Sequence, residues 1–325
     1  MSSLLELQKP VTYSIVIPIF NEAATLSELW RQLKAVIGEL ENACEVIFVD
    51  DGSTDESYSL LLALHQANSE VKLIRLSRNF GHQSALTAGI EMSEGDAVIL
   101  MDGDLQDSPQ AIVKFIAKWR EGFDVVYAVR EKRKEIWLKR FAFVSFYRLL
   151  DSLSGMKLPI DAGIFSLMDR QVVKALCQMP ERNRYLSGLR AYAGFRQTGI
   201  LVERGSRYQG KPKVTLTKLC KLAFDGIFSF STVPLKIATI FGLISAIISF
   251  VIGIFGLYFK FVLGRNLLSW AYGLTTTFFM GGVQLIFLGI IGEYIARIYD
   301  EVKQRPYYLI RDTRGFINAE HQNHL

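Results

Sequence analysis

Cysteine is scarce in this chain, and the few that occur share no motif. The 325 residues include 3 cysteines, at Cys44, Cys177 and Cys220, and none has Cys-x-x-Cys spacing. Neither a disulfide framework nor a cysteine zinc site is indicated. The length is that of one large or two ordinary domains, which excludes a small disulfide-stabilised fold.

Charge is also low and nearly balanced. Charged residues make up 21% of the chain against 50% hydrophobic ones, which excludes a disordered protein. Lys and Arg number 37 and Asp and Glu 32, a net charge of +5 that is too small and too spread out to indicate a nucleic-acid partner. A membrane surface or an anionic substrate fits this balance better. Residues 1–10 lack the basic start and long apolar run of a signal peptide, so we expect the first domain to stay in the cytoplasm.

The first two thirds of the chain alternate short apolar runs with amphipathic stretches. The apolar runs, bounded by Asp, Gly or Asn, predict strands at 13–18, 45–50, 71–76 and 97–101. The stretches between them predict helices at 22–40, 55–67 and 82–93. A βαβα order predicts an α/β, Rossmann-like domain with a mainly parallel sheet, which we assign to residues 1–210.

Polar clusters follow three of these predicted strands. Phe20-Asn21-Glu22 follows the first, residues 50–53 (Asp-Asp-Gly-Ser) end the second, and Asp102-Gly103-Asp104 follows the fourth. In parallel sheets, ligands bind beyond the carboxyl ends of the strands. Two carboxylates separated by a glycine, with the Gln106 amide as a further oxygen, suit Mg²⁺ or Mn²⁺ bound to a diphosphate. The alternative is an ordinary solvated turn.

The last third carries two long uncharged runs. Residues 237–259 are 23 positions without a charge, and residues 266–292 are another 27. Each can span about 30 Å of hydrocarbon at about 1.5 Å per residue. We interpret region 235–296 as two transmembrane helices, at about 237–259 and 267–292. The alternative is a buried helix pair in a soluble protein.

Basic residues flank both runs, as is typical of the cytoplasmic side of a membrane. They precede the first run and follow the second, at Lys211, Lys213, Lys218, Lys221, Lys236, Arg297, Lys303, Arg305, Arg311 and Arg314. An amphipathic pattern at 211–234 predicts a juxtamembrane helix, and residues 297–325 form the predicted tail. We therefore expect a multi-pass protein of the cytoplasmic (inner) membrane, with the catalytic domain and both termini in the cytoplasm.

Four motifs, taken in order, resemble a known family. They are residues 17–22 (Ile-Pro-Ile-Phe-Asn-Glu), 49–55 (Val-Asp-Asp-Gly-Ser-Thr-Asp), 78–81 (Arg-Asn-Phe-Gly) and 101–107 (Met-Asp-Gly-Asp-Leu-Gln-Asp). Together they resemble the signatures of family 2 inverting glycosyltransferases, which have the GT-A fold. The chain from about residue 13 to 300 is similar to the polyprenyl-phosphate branch, that is, dolichyl-phosphate mannose synthases and bacterial bactoprenol glucosyltransferases.

The resemblance implies an activity and its partners. The expected reaction moves a hexose, with glucose favoured, from a UDP-sugar to undecaprenyl or another polyprenyl phosphate at the cytoplasmic membrane face. It implies Mg²⁺ or Mn²⁺ as cofactor, membrane lipids as surroundings and a homo-oligomer, with a tetramer favoured.

The resemblance also implies roles for individual residues. The donor would be bound by Pro18, Phe20, Glu22, Val49, Asp51, Asp102, Gly103, Arg207 and Lys213, and the metal by Asp102, Asp104 and Gln106. Arg207 and Lys213 belong to a loop that closes over the diphosphate, with Pro212 where relatives carry serine. The expected catalytic set is Asp102, Asp104, Arg130, Arg140 and Lys213.

The chemistry is consistent with a site rich in cations. A phosphate monoester has a second pKa near 6, so the acceptor is largely dianionic at neutral pH and needs no strong general base. The site must instead position two anions and neutralise the charge on the departing UDP. Arg207 and Lys213 would serve the leaving group, and Arg130 and Arg140 the incoming phosphate.

Three other functions are alternatives to this reaction. A processive polysaccharide synthase of the same fold would carry a Gln-x-x-Arg-Trp motif, which is missing here. A dinucleotide dehydrogenase would carry Gly-x-Gly-x-x-Gly after its first strand, which is also missing. A non-catalytic nucleotide-binding membrane adaptor remains as an alternative of a different class, distinguished by metal-dependent UDP binding without turnover.

Overall fold

The computed structural model describes two compact units. The described residues are 12–130, 162–182, 184–202, 233–262 and 270–316. The first unit contains the described residues up to 202 together with those from Pro306 onward, and the second contains 233–262 and 270–305. The chain therefore leaves the first unit, forms the second and then returns to the first.

The first unit is built on an eight-stranded sheet. Its strands are β1 (Tyr13–Ile19), β2 (Cys44–Asp50), β3 (Val71–Leu76), β4 (Ala97–Leu100), β5 (Val125–Arg130), β6 (Ala162–Asp169), β7 (Gln197–Val202) and β8 (Ile310–Arg314). The spatial order is β7-β5-β6-β4-β1-β2-β3-β8. β1 pairs in parallel with β2 and β4, β2 with β3, and β5 with β7, whereas β6 and β8 run antiparallel to their neighbours. The predicted α/β architecture with a mainly parallel sheet is confirmed.

Helices cover both faces of this sheet. They are α1 (Ala23–Glu39), α2 (Ser57–Ala67), α3 (His82–Met92), α4 (Ala111–Arg120), α5 (Arg170–Cys177) and α6 (Leu186–Tyr192). Leu29 of α1 and Phe115 of α4 belong to the core on one face, and Leu86 of α3 and Val173 of α5 to the core on the other. Side chains of a strand alternate between faces, so Ile15 and Ile17 of β1 join the first core and Val16 the second. Apolar residues on both faces explain why these strands read as continuous hydrophobic runs.

The register of the central strands sets the position of the site. In β1 and β2, Tyr13 lies opposite Cys44 and Ile19 opposite Asp50, so the two strands end side by side. The loops that follow them, together with those after β3 and β4, meet at one edge of the sheet. The predicted strands agree with the observed ones to within one residue at each end.

The sheet is completed by a strand that the sequence analysis did not foresee. β8 pairs antiparallel with β3, and the Ser77 N–H donates to the Leu309 carbonyl at 2.8 Å. The Tyr308 hydroxyl donates to Glu91 Oε2 at 2.5 Å, and the Tyr58 hydroxyl donates to Asp312 Oδ2 at 2.9 Å. Part of the predicted tail, 297–325, is thus a structural element of the first unit.

The described part of the second unit contains two long apolar helices, α7 (Val233–Val262) and α8 (Trp270–Val302), which contact each other. Within them, Pro234–Phe255 and Thr276–Val302 are long and apolar enough to cross a membrane, and no residue of either segment's apolar window is buried. Apolar helices of a soluble core would be buried, so this exposure favours membrane association over that alternative. The predicted juxtamembrane helix at 211–234 lies, except for its last two positions, outside the described residues.

Candidate active site

Two loops at the carboxyl edge of the sheet are bonded to each other. The Asn21 N–H donates to Ser53 Oγ at 3.1 Å, and Asn21 Oδ1 accepts the Thr54 N–H at 2.9 Å. The Glu22 N–H donates to Ser57 Oγ at 3.0 Å. These bonds satisfy backbone donors where α1 begins and hold the β1–α1 loop against the β2–α2 loop. Glu22 is half-buried at this edge, and the side chain of Phe20 is 38% exposed.

Asp51 is a buried carboxylate that holds a third loop, Arg78-Asn79-Phe80-Gly81. Its two oxygens accept the backbone N–H groups of Phe80 at 2.7 Å and Gly81 at 2.9 Å. Burial raises the pKa of Asp51, and these two hydrogen bonds oppose that rise. Asp51 therefore orders the segment between β3 and α3.

Glycine occupies two points of close approach. Gly52 has φ +69°, and a Cβ there would lie 2.5 Å from the carbonyl carbon of Arg78. A Cβ on Gly103 would lie 2.6 Å from Cδ1 of Ile19. The β2–α2 loop can contact the backbone of the 78–81 loop only because Gly52 has no side chain, whereas a side chain at Gly103 would displace the end of Ile19.

The Asp102-Gly103-Asp104 motif directly follows β4. Both aspartates are partly buried. Asp104 Oδ1 accepts the Gln106 N–H at 3.1 Å, and the Gly103 carbonyl accepts the Thr25 hydroxyl at 3.2 Å. These contacts fix the motif against the first turn of α1, at the same edge as Asp51.

His82, the first residue of α3, contacts this motif and was not selected from the sequence. Its Nε2 lies 2.8 Å from Asp102 Oδ1. Burial lowers the pKa of His82, but the hydrogen bond to Asp102 and the negative charges of Asp102, Asp51 and Asp104 outweigh it, so the pKa is raised. The signal that could have found this residue is its place directly after the Arg-Asn-Phe-Gly motif, at the carboxyl end of β3.

The donor set suits a hard divalent cation shared with a substrate. No group of three or more His, Cys, Asp or Glu side chains arranged to hold a metal occurs among the described residues. Mg²⁺ is commonly held by one or two carboxylates, keeping its other positions for water and substrate phosphates. Asp102 and Asp104, with the nearby Gln106 amide, offer such a partial set of oxygen ligands, so they fit the group.

The predicted site residues fall into three sets: those near the ends of the central strands, Arg130, and those outside the described residues. Pro18 and Val49 are buried in β1 and β2, where they lie opposite each other in register. Arg130 is the last residue of β5. The structure brings together the ends of the central strands and hence the residues Pro18, Phe20, Glu22, Val49, Asp51, Asp102, Gly103, Asp104 and Gln106. Arg140, Arg207 and Lys213 lie outside the described residues.

The chain is similar to known proteins along nearly its whole length. Residues 14–177 match the family described as Glycosyl transferase family 2. An uncharacterized glycosyltransferase of Synechocystis is 44% identical over 94% of this chain and 96% of its own. The bactoprenol glucosyl transferase of Shigella phage SfX is 38% identical over 93% of this chain and 99% of its own.

A solved structure shares the fold of most of this chain. Glucosyl-3-phosphoglycerate synthase from Mycobacterium tuberculosis, in complex with Mn²⁺, UDP and phosphoglyceric acid, superimposes with a TM-score of 0.50 at 17% sequence identity. The match covers 67% of this chain and 76% of that one. The expected GT-A fold is confirmed.

Proposed function

Because this chain belongs to glycosyl transferase family 2, we propose that it transfers a glucosyl residue from a UDP-sugar to a polyprenyl phosphate at the cytoplasmic face of a membrane. One observation carries the proposal: Asp51 and the Asp102-Gly103-Asp104 motif meet at one edge of the sheet, in a chain that also has two exposed apolar helices. The relatives called bactoprenol glucosyl transferase match this chain across both parts, which supports glucose and a polyprenyl acceptor.

The donor nucleoside is assigned to the loops after β1 and β2. Phe20 offers a partly exposed ring, and Glu22 lies beside it at the edge of the sheet. Pro18 and Val49 are buried side by side near the ends of β1 and β2, and Asp51 is assigned to recognition of the base. Since both Asp51 oxygens already accept backbone N–H groups, base recognition uses their remaining lone pairs or the loop that they hold.

Asp102, Asp104 and Gln106 would hold the divalent ion, Mg²⁺ or Mn²⁺. When bound, that ion neutralises charge on the donor diphosphate. Gly103 lets the motif lie close to β1, and Arg207 and Lys213 complete the binding of the diphosphate. The M. tuberculosis structure holds Mn²⁺ together with UDP, which supports a divalent ion in this fold.

The acceptor phosphate is assigned to Arg130 and Arg140. β4 and β5 both run antiparallel to β6 and are therefore parallel to each other, so the end of β5 lies at the same edge of the sheet as the Asp102–Asp104 motif. Arg130 occupies that end. A positively charged side chain at this position would hold an anionic nucleophile near the donor sugar. Attack from the face opposite UDP inverts the anomeric centre.

The sheet topology supports the proposal that the segments flanking the two apolar helices lie on the same side of the membrane. β7 precedes the two apolar helices and β8 follows them, yet both strands belong to one sheet. A chain that starts and ends in the same folded unit must cross a bilayer an even number of times. Two spans satisfy this rule, and they put the flanking segments on the same side, the cytoplasmic one by the distribution of basic residues.

We propose a homo-oligomer, with a tetramer as the favoured state. Gly281, Gly282 and Gly289 of α8 lie where an added Cβ meets nothing within 4 Å among the described residues. Small residues on a transmembrane helix allow another helix to approach closely. Native mass measurement of the detergent-solubilised protein tests this, and a monomeric mass would overturn it.

Turnover with defined substrates tests the central proposal. The purified full chain, with Mn²⁺ or Mg²⁺ and a polyprenyl phosphate, is offered UDP-glucose, UDP-galactose, UDP-N-acetylglucosamine and GDP-mannose in parallel. We expect a lipid product whose mass increases by one hexose with UDP-glucose, formed far more slowly by Asp104→Ala. UDP release without a lipid product, or equal product from all four donors, would contradict the proposed acceptor or the proposed donor respectively.

A further inference from the structure

His82 links the two parts of the donor site. The segment from Phe80 to His82 bonds to Asp51 through two backbone N–H groups and to Asp102 through one imidazole nitrogen. Building on the proposed function, we propose that His82 is a positioning residue that orients the Asp102 carboxylate for metal-dependent binding of the nucleoside diphosphate.

The direction of the hydrogen bond follows from the chemistry of the pair. An ionised carboxylate only accepts hydrogen bonds, so Nε2 of His82 carries the proton and donates it to Asp102 Oδ1 at 2.8 Å. The imidazole therefore occupies a defined side of this carboxylate. A metal ion must therefore approach Asp102 from a side that the imidazole does not occupy. A residue that hydrogen-bonds to a metal-binding carboxylate orients it in this way.

The position of His82 is itself fixed. The N–H groups of Phe80 and Gly81 are held by the buried Asp51, and Gly52 lies against the backbone of Arg78. On the other side, Gln83 Oε1 accepts the Leu186 N–H at 3.0 Å and joins α3 to α6. A side chain on so constrained a backbone can transmit the position of Asp51 to Asp102.

The size of the expected energies separates positioning from a merely structural role. The side chain of His82 is 42% exposed and that of Asp102 25% exposed. Exposed ion pairs contribute little to the free energy of folding. Removing a residue that hydrogen-bonds to a metal ligand, in contrast, typically weakens metal binding or activity by about 10- to 100-fold. The effect of losing His82 should therefore appear in ligand binding and not in stability.

The test is calorimetric titration of the detergent-solubilised full chain with UDP, with Mn²⁺ and without it. We expect His82→Ala to weaken UDP binding in Mn²⁺ by about tenfold or more, and to change metal-free UDP binding and the melting temperature little. His82→Gln carries an amide N–H at a similar distance from the backbone and should recover most of the affinity. His65→Ala is the matched control, because His65 also hydrogen-bonds to an oxygen, the backbone carbonyl of Val71, but at the other end of β3.

A double-mutant cycle shows whether His82 acts through Asp102. If it does, His82→Ala should add almost nothing to the binding loss of Asp102→Asn. Additive losses, equal losses with and without Mn²⁺, or His82→Gln behaving like His82→Ala would each overturn the positioning role. If the wild-type protein binds UDP equally well with and without Mn²⁺, both the proposed metal site and this inference are overturned. If His82→Ala binds UDP in Mn²⁺ as tightly as the wild type, only the inference is overturned.

Discussion

The two ends of the central strands hold their carboxylates in opposite ways. At the amino end, Glu45 is buried and bonds to the Ser14 hydroxyl, and its Oε2 lies 2.6 Å from Lys72 Nζ. At the carboxyl end, Asp51 accepts hydrogen bonds from two backbone N–H groups, and Asp102 accepts one from the imidazole of His82. The first arrangement pairs a carboxylate with a fixed cation from the same sheet. The second orders the loops after the strands, so carboxylates stabilise the sheet at one end and order the candidate site at the other.

Removal of Asp104 should give the largest effect. We expect Asp104→Ala to lower kcat roughly 10²- to 10³-fold, the range seen when a single group stabilising transition-state charge is lost. The melting temperature should change little, because the side chain is only partly buried. Steady-state kinetics and thermal unfolding in the same detergent measure both. Chelation of divalent ions with EDTA should reproduce the kinetic loss in the wild type, and full activity in EDTA would contradict the metal assignment.

Breaking the Glu45–Lys72 pair at the amino end should lower stability and leave turnover unchanged. Glu45→Gln leaves Lys72 largely buried without its closest partner, and breaking a buried pair in this way costs about 3–5 kcal/mol. We expect a clear fall in the melting temperature and unchanged kcat and KM for the protein that remains folded. Glu94→Gln is the control, since its side chain is 55% exposed and lies 3.2 Å from the same lysine. If the two variants unfold alike, burial is not what makes the Glu45 pair matter.

Replacing Gly52 should lower both the stability of the protein and its affinity for UDP. In Gly52→Ala the methyl group would meet the backbone of Arg78, and the positive φ would be strained, at about 1–3 kcal/mol. Because that backbone leads to His82, UDP affinity should fall along with stability. Gly38→Ala lies in α1 with nothing within 4 Å of its Cβ, and it should stabilise the protein by about 0.5–1 kcal/mol. Normal UDP binding by Gly52→Ala would separate the 78–82 segment from the site.

The contact between Tyr308 and Glu91 should give the smallest effect. Tyr308→Phe removes one hydroxyl donor, and a typical hydrogen bond contributes about 0.5–1.5 kcal/mol net, somewhat more when its acceptor is charged. We expect faster amide exchange in β8 and in the end of β3, with kcat unchanged. Hydrogen exchange followed by mass spectrometry measures this. Protection equal to wild type would mean that strand pairing alone holds β8.

Local residue patterns are sufficient to predict much of the fold. Strands such as β1 and β3 are continuous apolar runs, and the acidic motifs after β2 and β4 follow from the rule that ligands bind beyond carboxyl ends. The role of His82 was not foreseen, because it depends on how far α3 lies from β4. β8 was not foreseen either, because five residues rich in charge acquire strand structure only by pairing with β3.

The place of β8 in the chain also sets an order of events during synthesis. Domains generally fold as units while the chain emerges, starting from the amino terminus. Here the ribosome must translate both apolar helices before it reaches the strand that covers the edge of β3. Until then, β3 presents unpaired backbone groups that can recruit other strands. The sheet is thus completed only after both apolar helices have been synthesised, so a chain that stops before β8 should keep an unpaired, aggregation-prone edge.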